Sequence, residues 1–73
     1  MVELSLALIL KDAEARLTAC DKRVQRQKDL IQVMKDKGCD TTLAEVLLHE
    51  FEKARSSASA NRNRLLAELL EPH

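Results

Sequence analysis

Two long stretches of the chain repeat apolar residues at helical spacing. In the first, nine positions recur at alternating steps of four and three residues, the heptad pattern of a helix that packs along one stripe. These positions are Leu6, Leu10, Ala13, Leu17, Cys20, Val24, Gln27, Ile31 and Met34. The second stretch shows similar spacing at Leu47, Phe51, Ala54, Ala58, Asn61, Leu65 and Leu69. The pattern predicts two helices, from about residue 3 to 37 and from about residue 42 to 70.

The segment between the two helices carries turn signals. Gly38 is the only glycine in the chain and follows a basic last helical turn, so we expect it to adopt the left-handed conformation of a Schellman ending, with Cys39 next to it. Thr42 and Glu45 match a capping box at the start of the second helix. Asp40 or Thr41 is the alternative cap, because boundaries read from sequence slip by a residue or two.

Reversing the chain at this turn pairs the two stripes along their length. Positions whose numbers sum to about 78 then face each other at a helical rise of about 1.5 Å per residue. Ile31 is expected to meet Leu47, and Gln27 is expected to meet Phe51. The sequence therefore predicts an all-α protein, an antiparallel two-helix hairpin that occupies residues 1–73 as a single domain.

Gln27 and Asn61 are the polar members of the two stripes. A buried amide can fix the alignment of two helices because a misaligned partner leaves it without a hydrogen bond. Alternatively, each amide marks a place where the stripe widens and admits water. The second interpretation is favoured at Asn61, and both stay open at Gln27.

Composition favours assembly of this hairpin. The chain has 73 residues, one aromatic residue, and 12 basic residues that balance 12 acidic ones. A chain this short buries a small core and commonly needs a partner subunit. A formal charge of zero opposes self-association little.

Leucines concentrate where the two chain ends meet, and they point in too many directions for one partner helix to cover. We expect a homodimer that forms an antiparallel four-helix bundle, a coiled-coil assembly with this end at its centre. The predicted interface comprises Leu4, Leu6, Leu8, Ile9, Leu10, Leu65, Leu66, Leu69 and Leu70.

The N-terminal segment does not fit a targeting signal. It carries Glu3 in place of a basic group, and Lys11 and Asp12 end its apolar run too early to cross a membrane. A cytoplasmic protein is expected, with a membrane-surface helix at residues 4–10 as a remote rival.

The sequence assembles no catalytic constellation, so we predict no enzyme activity and no cofactor. Cys20 belongs to the first stripe and is expected to be a buried filler, too far along the helix from Cys39 for a disulfide. Cys39 is also read as structural, with a redox or metal role as the alternative. Glu45, His49 and Glu52 share a helix face, yet they match no known metal-binding motif.

Basic residues are a second group of side chains that could carry a function. Lys22, Arg23, Arg26 and Lys28 make the densest run, and Arg55, Arg62 and Arg64 follow on the second helix. No aromatic residues accompany them for base stacking. The leading hypothesis is thus a non-catalytic, self-associating interaction or scaffold module, and the alternative is a small nucleic-acid-associated regulator that uses these arginines.

Four short motifs resemble a group of small bacterial helical-hairpin proteins. They are Arg26–Gln27, the turn Gly38–Asp40–Thr41, the segment Ala44–Leu47–Leu48, and the closing run Arg62–Leu65–Leu66–Glu68–Leu69. Together they span Arg23 to Leu69, about two-thirds of the chain. The resemblance implies a hairpin and supplies neither an activity nor a substrate.

Overall fold

Two helices make up the architecture of the protein. A computed structural model describes the backbone of residues 2–71 and the side chains of residues 5–71. Helix α1 spans Val2–Asp36 and helix α2 spans Thr42–Leu70. The helices pack against each other along their length in a rod whose Cα atoms extend over 57 × 14 × 13 Å. The predicted all-α hairpin is confirmed, with helix bounds within two residues of those expected.

The packing stripe of α1 is the one that the heptad pattern predicts. Within residues 5–36 the nine predicted positions, and only those, are buried or half-buried. Val24 is the most enclosed of them, with 2% of its surface exposed. Every other described side chain of α1 is exposed.

The packing stripe of α2 differs from the predicted one. The positions that face α1 form the heptad series Ala44, Leu48, Phe51, Arg55, Ala58, Arg62, Leu65 and Leu69, all buried or half-buried. Leu47 and Ala54, which the prediction placed in the stripe, are exposed. The predicted series is the more apolar of two adjacent series, because the observed one contains two arginines.

Contacts across the seam define the register. Lys35 approaches Glu45, Asp21 approaches Arg55, and the Arg23 guanidinium lies over the ring of Phe51. The numbers in these pairs add up to between 74 and 80, which brackets the predicted sum. The Gln27 amide donates to the backbone carbonyl of Ala44, and its predicted pairing with Phe51 stays a prediction.

The turn after α1 is a Schellman ending, as predicted. Gly38 has φ +73°, in the left-handed region that favours glycine. The Cys39 N–H donates to the Met34 carbonyl at 2.9 Å, and the Gly38 N–H donates to the Lys35 carbonyl at 3.0 Å. These are the two hydrogen bonds that define the motif.

The start of α2 corrects the predicted capping box. Thr42 is the first helical residue, and Thr41 takes the cap position without a side-chain cap bond. Instead, the Asp40 carboxylate accepts hydrogen bonds from the Thr42 N–H at 3.0 Å and the Thr42 hydroxyl at 2.7 Å. Glu45 pairs with Lys35 of α1 at 3.8 Å, so its side chain contacts the other helix. A short connection lets an Asx turn replace the box.

The left-handed turn gives the first testable prediction. A Cβ built on Gly38 meets no atom within 4 Å, so a substitution there is penalised by backbone conformation alone. Gly38→Val is expected to lower the free energy of unfolding by at least about 1 kcal/mol in urea denaturation. Gly38→Asn is the control and should cost less, because asparagine tolerates this conformation. Equal stability of the valine variant and the parent would contradict the Schellman ending.

The Asx turn gives a pH-dependent prediction. The hydrogen bonds from the Thr42 hydroxyl and N–H lower the pKa of Asp40 below its usual value. A carboxyl whose folded pKa is depressed stabilises the fold above its unfolded pKa, and that contribution is lost as the pH falls through the folded pKa. The stability difference between the parent and Asp40→Ala should therefore shrink as the pH drops from 6 to about 3. A difference that stays constant over this range, measured by thermal denaturation, would argue against the turn.

Candidate interaction surface

Most of the predicted interface at the open end belongs to the hairpin's own core. Leu10, Ala13 and Leu65 are buried together, and Leu66 and Leu69 pack against them. Leu6 is half-buried. Leu10, Leu65, Leu66 and Leu69 therefore already pack within one hairpin, and the contact of these leucines with a second molecule stays a prediction.

Three of the predicted interface residues remain free at this end. Leu8, Ile9 and Leu70 keep half or more of their surface exposed, and we call them the open-end patch. The side chain of Leu4 lies outside the described residues. One partner helix thus leaves several apolar groups uncovered, as the sequence predicts.

A second apolar group lies at the other end, beside the turn, and sequence reasoning missed it. Leu30, Val33, Leu43 and Leu47 are exposed by 49%, 48%, 73% and 43%, and we call them the turn-end patch. Each directly precedes a seam residue of its helix. This spacing, one residue before each seam position, is the sequence pattern that could have revealed the patch.

Helical geometry places the turn-end patch on one flank of the hairpin. With Leu10 at heptad position a, Leu30 and Leu47 fall at g, and Val33 and Leu43 fall at the neighbouring c positions. Reversing one helix also reverses its rotational sense, so the g positions of antiparallel helices fall on the same side. The numbers of Leu30 and Leu47, and those of Val33 and Leu43, add up to 77 and 76, within the observed register. We call this side of the hairpin the g flank.

The opposite flank is closed by charged side chains. Lys35 and Glu45, both at position e, approach to 3.8 Å across the seam. Asp21, also at e, approaches Arg55 at 3.8 Å. The four side chains are between 41% and 56% exposed, so each pair contributes little to stability. Their positions confirm, however, that e positions of both helices share this flank.

The middle of the g flank carries small residues together with two arginines. An open groove of about 420 Å³ is lined by Ala13, Arg16, Ala19, Cys20, Arg23, Ser57, Ala58 and Asn61. Arg23 crosses from this groove to the Phe51 ring, with its guanidinium carbon 5.5 Å from the ring centroid. The contact is a cation–π interaction and covers the only aromatic ring in the chain.

Gln27 is the polar centre of the seam. It is buried, with 8% of its surface exposed, and its Nε2 donates to the Ala44 carbonyl at 2.8 Å. Of the two interpretations of this residue, the structure supports the alignment device. Asn61 behaves differently, because its side-chain oxygen accepts a bond from Arg64 of its own helix at 2.9 Å.

Arginines occupy two seam positions of α2. The aliphatic part of an arginine can cover apolar surface while its charged group reaches water. Arg55 reaches Asp21, whereas the Nε of Arg62 is buried and has no hydrogen-bond partner among the described residues. A buried donor without a partner costs about 1–3 kcal/mol. The seam is thus weakest where Arg62 crosses it.

The remaining candidate residues are dispersed along the rod. Cys20 is half-buried and Cys39 is exposed, and both thiols are free. Of the predicted metal candidates, Glu45 is paired with Lys35, and no cluster of three metal-ligating side chains occurs within the described part of the chain. Neither helix, over the residues described, has an apolar stretch long enough to cross a membrane.

Comparison with known proteins returns no relative. No family model, curated protein or solved structure matches the chain. The resemblance to small bacterial hairpin proteins stays a prediction, and the candidate function depends on the chain's own surfaces.

The buried amide gives the third prediction. Gln27→Ala removes a buried side chain together with its hydrogen bond and should lower the free energy of unfolding by about 2 kcal/mol. Gln27→Met keeps the volume and loses only the bond, so its stability should stay within about 1 kcal/mol of the parent. Urea denaturation measures both changes. An alanine variant as stable as the parent would show that the bond between α1 and α2 does not form.

Proposed function

We propose that the hairpin is a non-catalytic module that associates with copies of itself and serves as an interaction or scaffold element. The assembly is a homodimer in which two hairpins form a four-helix bundle. One observation carries the proposal: among the side chains described, those of residues 5–71, eight large apolar ones are at least 43% exposed, whereas six apolar residues are buried.

The energetics of a short chain support assembly. A single core below roughly 70–80 residues rarely supplies more than about 3–5 kcal/mol. Full burial of one leucine-sized side chain contributes about 1.5–3 kcal/mol relative to exposure. Apolar groups at both ends of the rod therefore offer a second copy a stabilisation comparable with that of the hairpin core. Exposed apolar patches of this kind normally mark interaction sites.

The arginines favour this proposal over nucleic-acid binding. Three of them already contact partners within the chain: Arg16 pairs with Asp12, Arg55 with Asp21, and Arg64 with Asn61. Arg23 lies over the Phe51 ring. The carboxylates beside Arg16 and Arg55 weaken the field that would attract phosphate.

The proposal also places the module in the cytoplasm. This part of the proposal carries over the expectation drawn from the sequence.

The oligomeric state is the fourth prediction. Light scattering coupled to size exclusion at micromolar concentration should give twice the 8.2 kDa mass of one chain. The midpoint of thermal unfolding should rise with protein concentration, because association stabilises the folded state by mass action. A helical monomer whose midpoint is independent of concentration would overturn the proposal.

A matched titration distinguishes the self-associating module from the alternative, a nucleic-acid-associated regulator. Duplex DNA and single-stranded RNA are added at low and at physiological salt, with heparin as a polyanion control. We expect no mobility shift. A shift whose affinity falls steeply with salt would instead favour the nucleic-acid regulator.

A further inference from the structure

We propose that the second copy docks on the g flank, with the two hairpins side by side and their turns at the same end. This inference rests on the proposed self-association and specifies its surface and orientation. A two-fold axis then runs along the rods, so α1 of each copy lies against α2 of the other. The turn-end patch becomes the apolar centre of the interface.

The turn-end patch fits itself in this arrangement. Residues of α1 and α2 that share a level within one chain share it across the two-fold axis as well. Leu30 therefore meets Leu47 of the second copy, and Val33 meets Leu43 of the second copy. Since the axis generates each pair twice, the four exposed apolar side chains of each hairpin, eight in the dimer, cover one another.

Charge complementarity continues along the same flank. Arg26 and Glu50 both sit at position c, one on each helix, and their numbers add up to 76, within the observed register. Asp12 and Arg64 repeat this relation two heptads further on. Within one chain the two members of each pair lie on opposite outer edges of the g flank. Neither Arg26 with Glu50 nor Asp12 with Arg64 forms an ion pair among the described residues. The second copy brings each pair together twice.

The middle of the flank admits close approach. Ala19 and Ser57 lie between the two charged layers and line the shallow groove. Arg23, held over Phe51, comes opposite Ala54 of the second copy, where a small side chain leaves room for it. At this level a large group thus faces a small one.

The reversed orientation fits less well. With the turns at opposite ends, the leucine layer of Leu30 and Leu47 would lie against Ile9 and Glu68 of the second copy. Burying a carboxylate among leucines is unfavourable because the charge loses its hydration without gaining a partner. The apolar pairing therefore selects the orientation with the turns together.

The size of the flank suits a stable dimer. The rod is 57 Å long and 14 Å across between Cα atoms, a footprint on the order of 800 Å². Specific protein interfaces bury about 800 Å² per partner. The opposite flank carries two cross-seam ion pairs, one near the turn and one near the middle of the rod, whose charges would lose hydration in an interface.

A charge-exchange experiment tests the inference. Arg26→Glu and Glu50→Arg each place like charges together in the homodimer, so each single variant should dimerise at least about 10-fold more weakly than the parent. Mixing the two variant chains restores both ion pairs, so native mass spectrometry should show the heterodimer in excess over both homodimers. The double variant should recover the parent affinity. Circular dichroism checks that every chain keeps its helical content.

The outcomes separate the two proposals. A parent chain that is monomeric defeats the proposed function itself. A dimeric parent with no excess of heterodimer defeats only the docking arrangement. In the reversed orientation Arg26 meets Asp12 of the second copy, so recovery by Arg26→Glu with Asp12→Arg, and not with Glu50→Arg, would overturn the parallel arrangement.

A second pair of variants tests the position of the apolar centre. Leu30→Ser with Leu47→Ser should raise the dimer dissociation constant by about 100-fold or more, since apolar anchors near the centre of an interface dominate affinity. Leu8→Ser with Leu70→Ser is the matched control at the open end and should change it by less than about 5-fold. The opposite ranking, measured by sedimentation equilibrium on folded variants, would move the interface to the open-end patch.

Discussion

A hairpin of two helices has only one seam, and this constraint shapes the whole molecule. Each helix can bury a stripe about two positions wide in every seven, because its partner covers one side. The described part of α1 obeys this limit, since nine side chains are enclosed and all the others are exposed. Apolar residues beyond the stripe have no place inside the chain. Leu30 and Leu47 are exposed for this reason, although leucine is among the residues most often buried.

Polar groups within the seam align the helices at the expense of core stability. Gln27 can donate to the Ala44 carbonyl at only one alignment, so a slip would leave its amide unpaired in an apolar surround. Arg62 instead destabilises the seam, because its buried Nε has no hydrogen-bond partner among the described residues. One residue therefore specifies the alignment and the other weakens the seam. A second copy that packs against the flank of such a rod adds burial without disturbing this alignment.

Much of the fold could be predicted from the sequence, whereas the surface could be predicted only in part. The nine positions of α1 were identifiable because apolar periodicity and seam coincide along the whole helix. The α2 stripe was misassigned because Ala54 is more apolar than Arg55 and Leu47 is as apolar as Leu48, so only the packing against α1 decides between adjacent series. Glu45 was expected to cap its own helix, but its side chain instead pairs with Lys35 of α1. The turn-end patch was hidden for a related reason, since its four members come together only when the register of both helices is known.

The turn sets the register between α1 and α2. The Schellman bonds from Gly38 and Cys39, followed by the Asx turn at Asp40, hold the chain in a compact reversal. That reversal decides which residue of α2 lies at the level of each residue of α1. A shift of one residue in either helix rotates its side chains by about 100° and would move Leu47 away from the flank of Leu30. It would also separate the levels of Arg26 and Glu50. The turn thus determines which apolar and charged groups of the two helices share one surface.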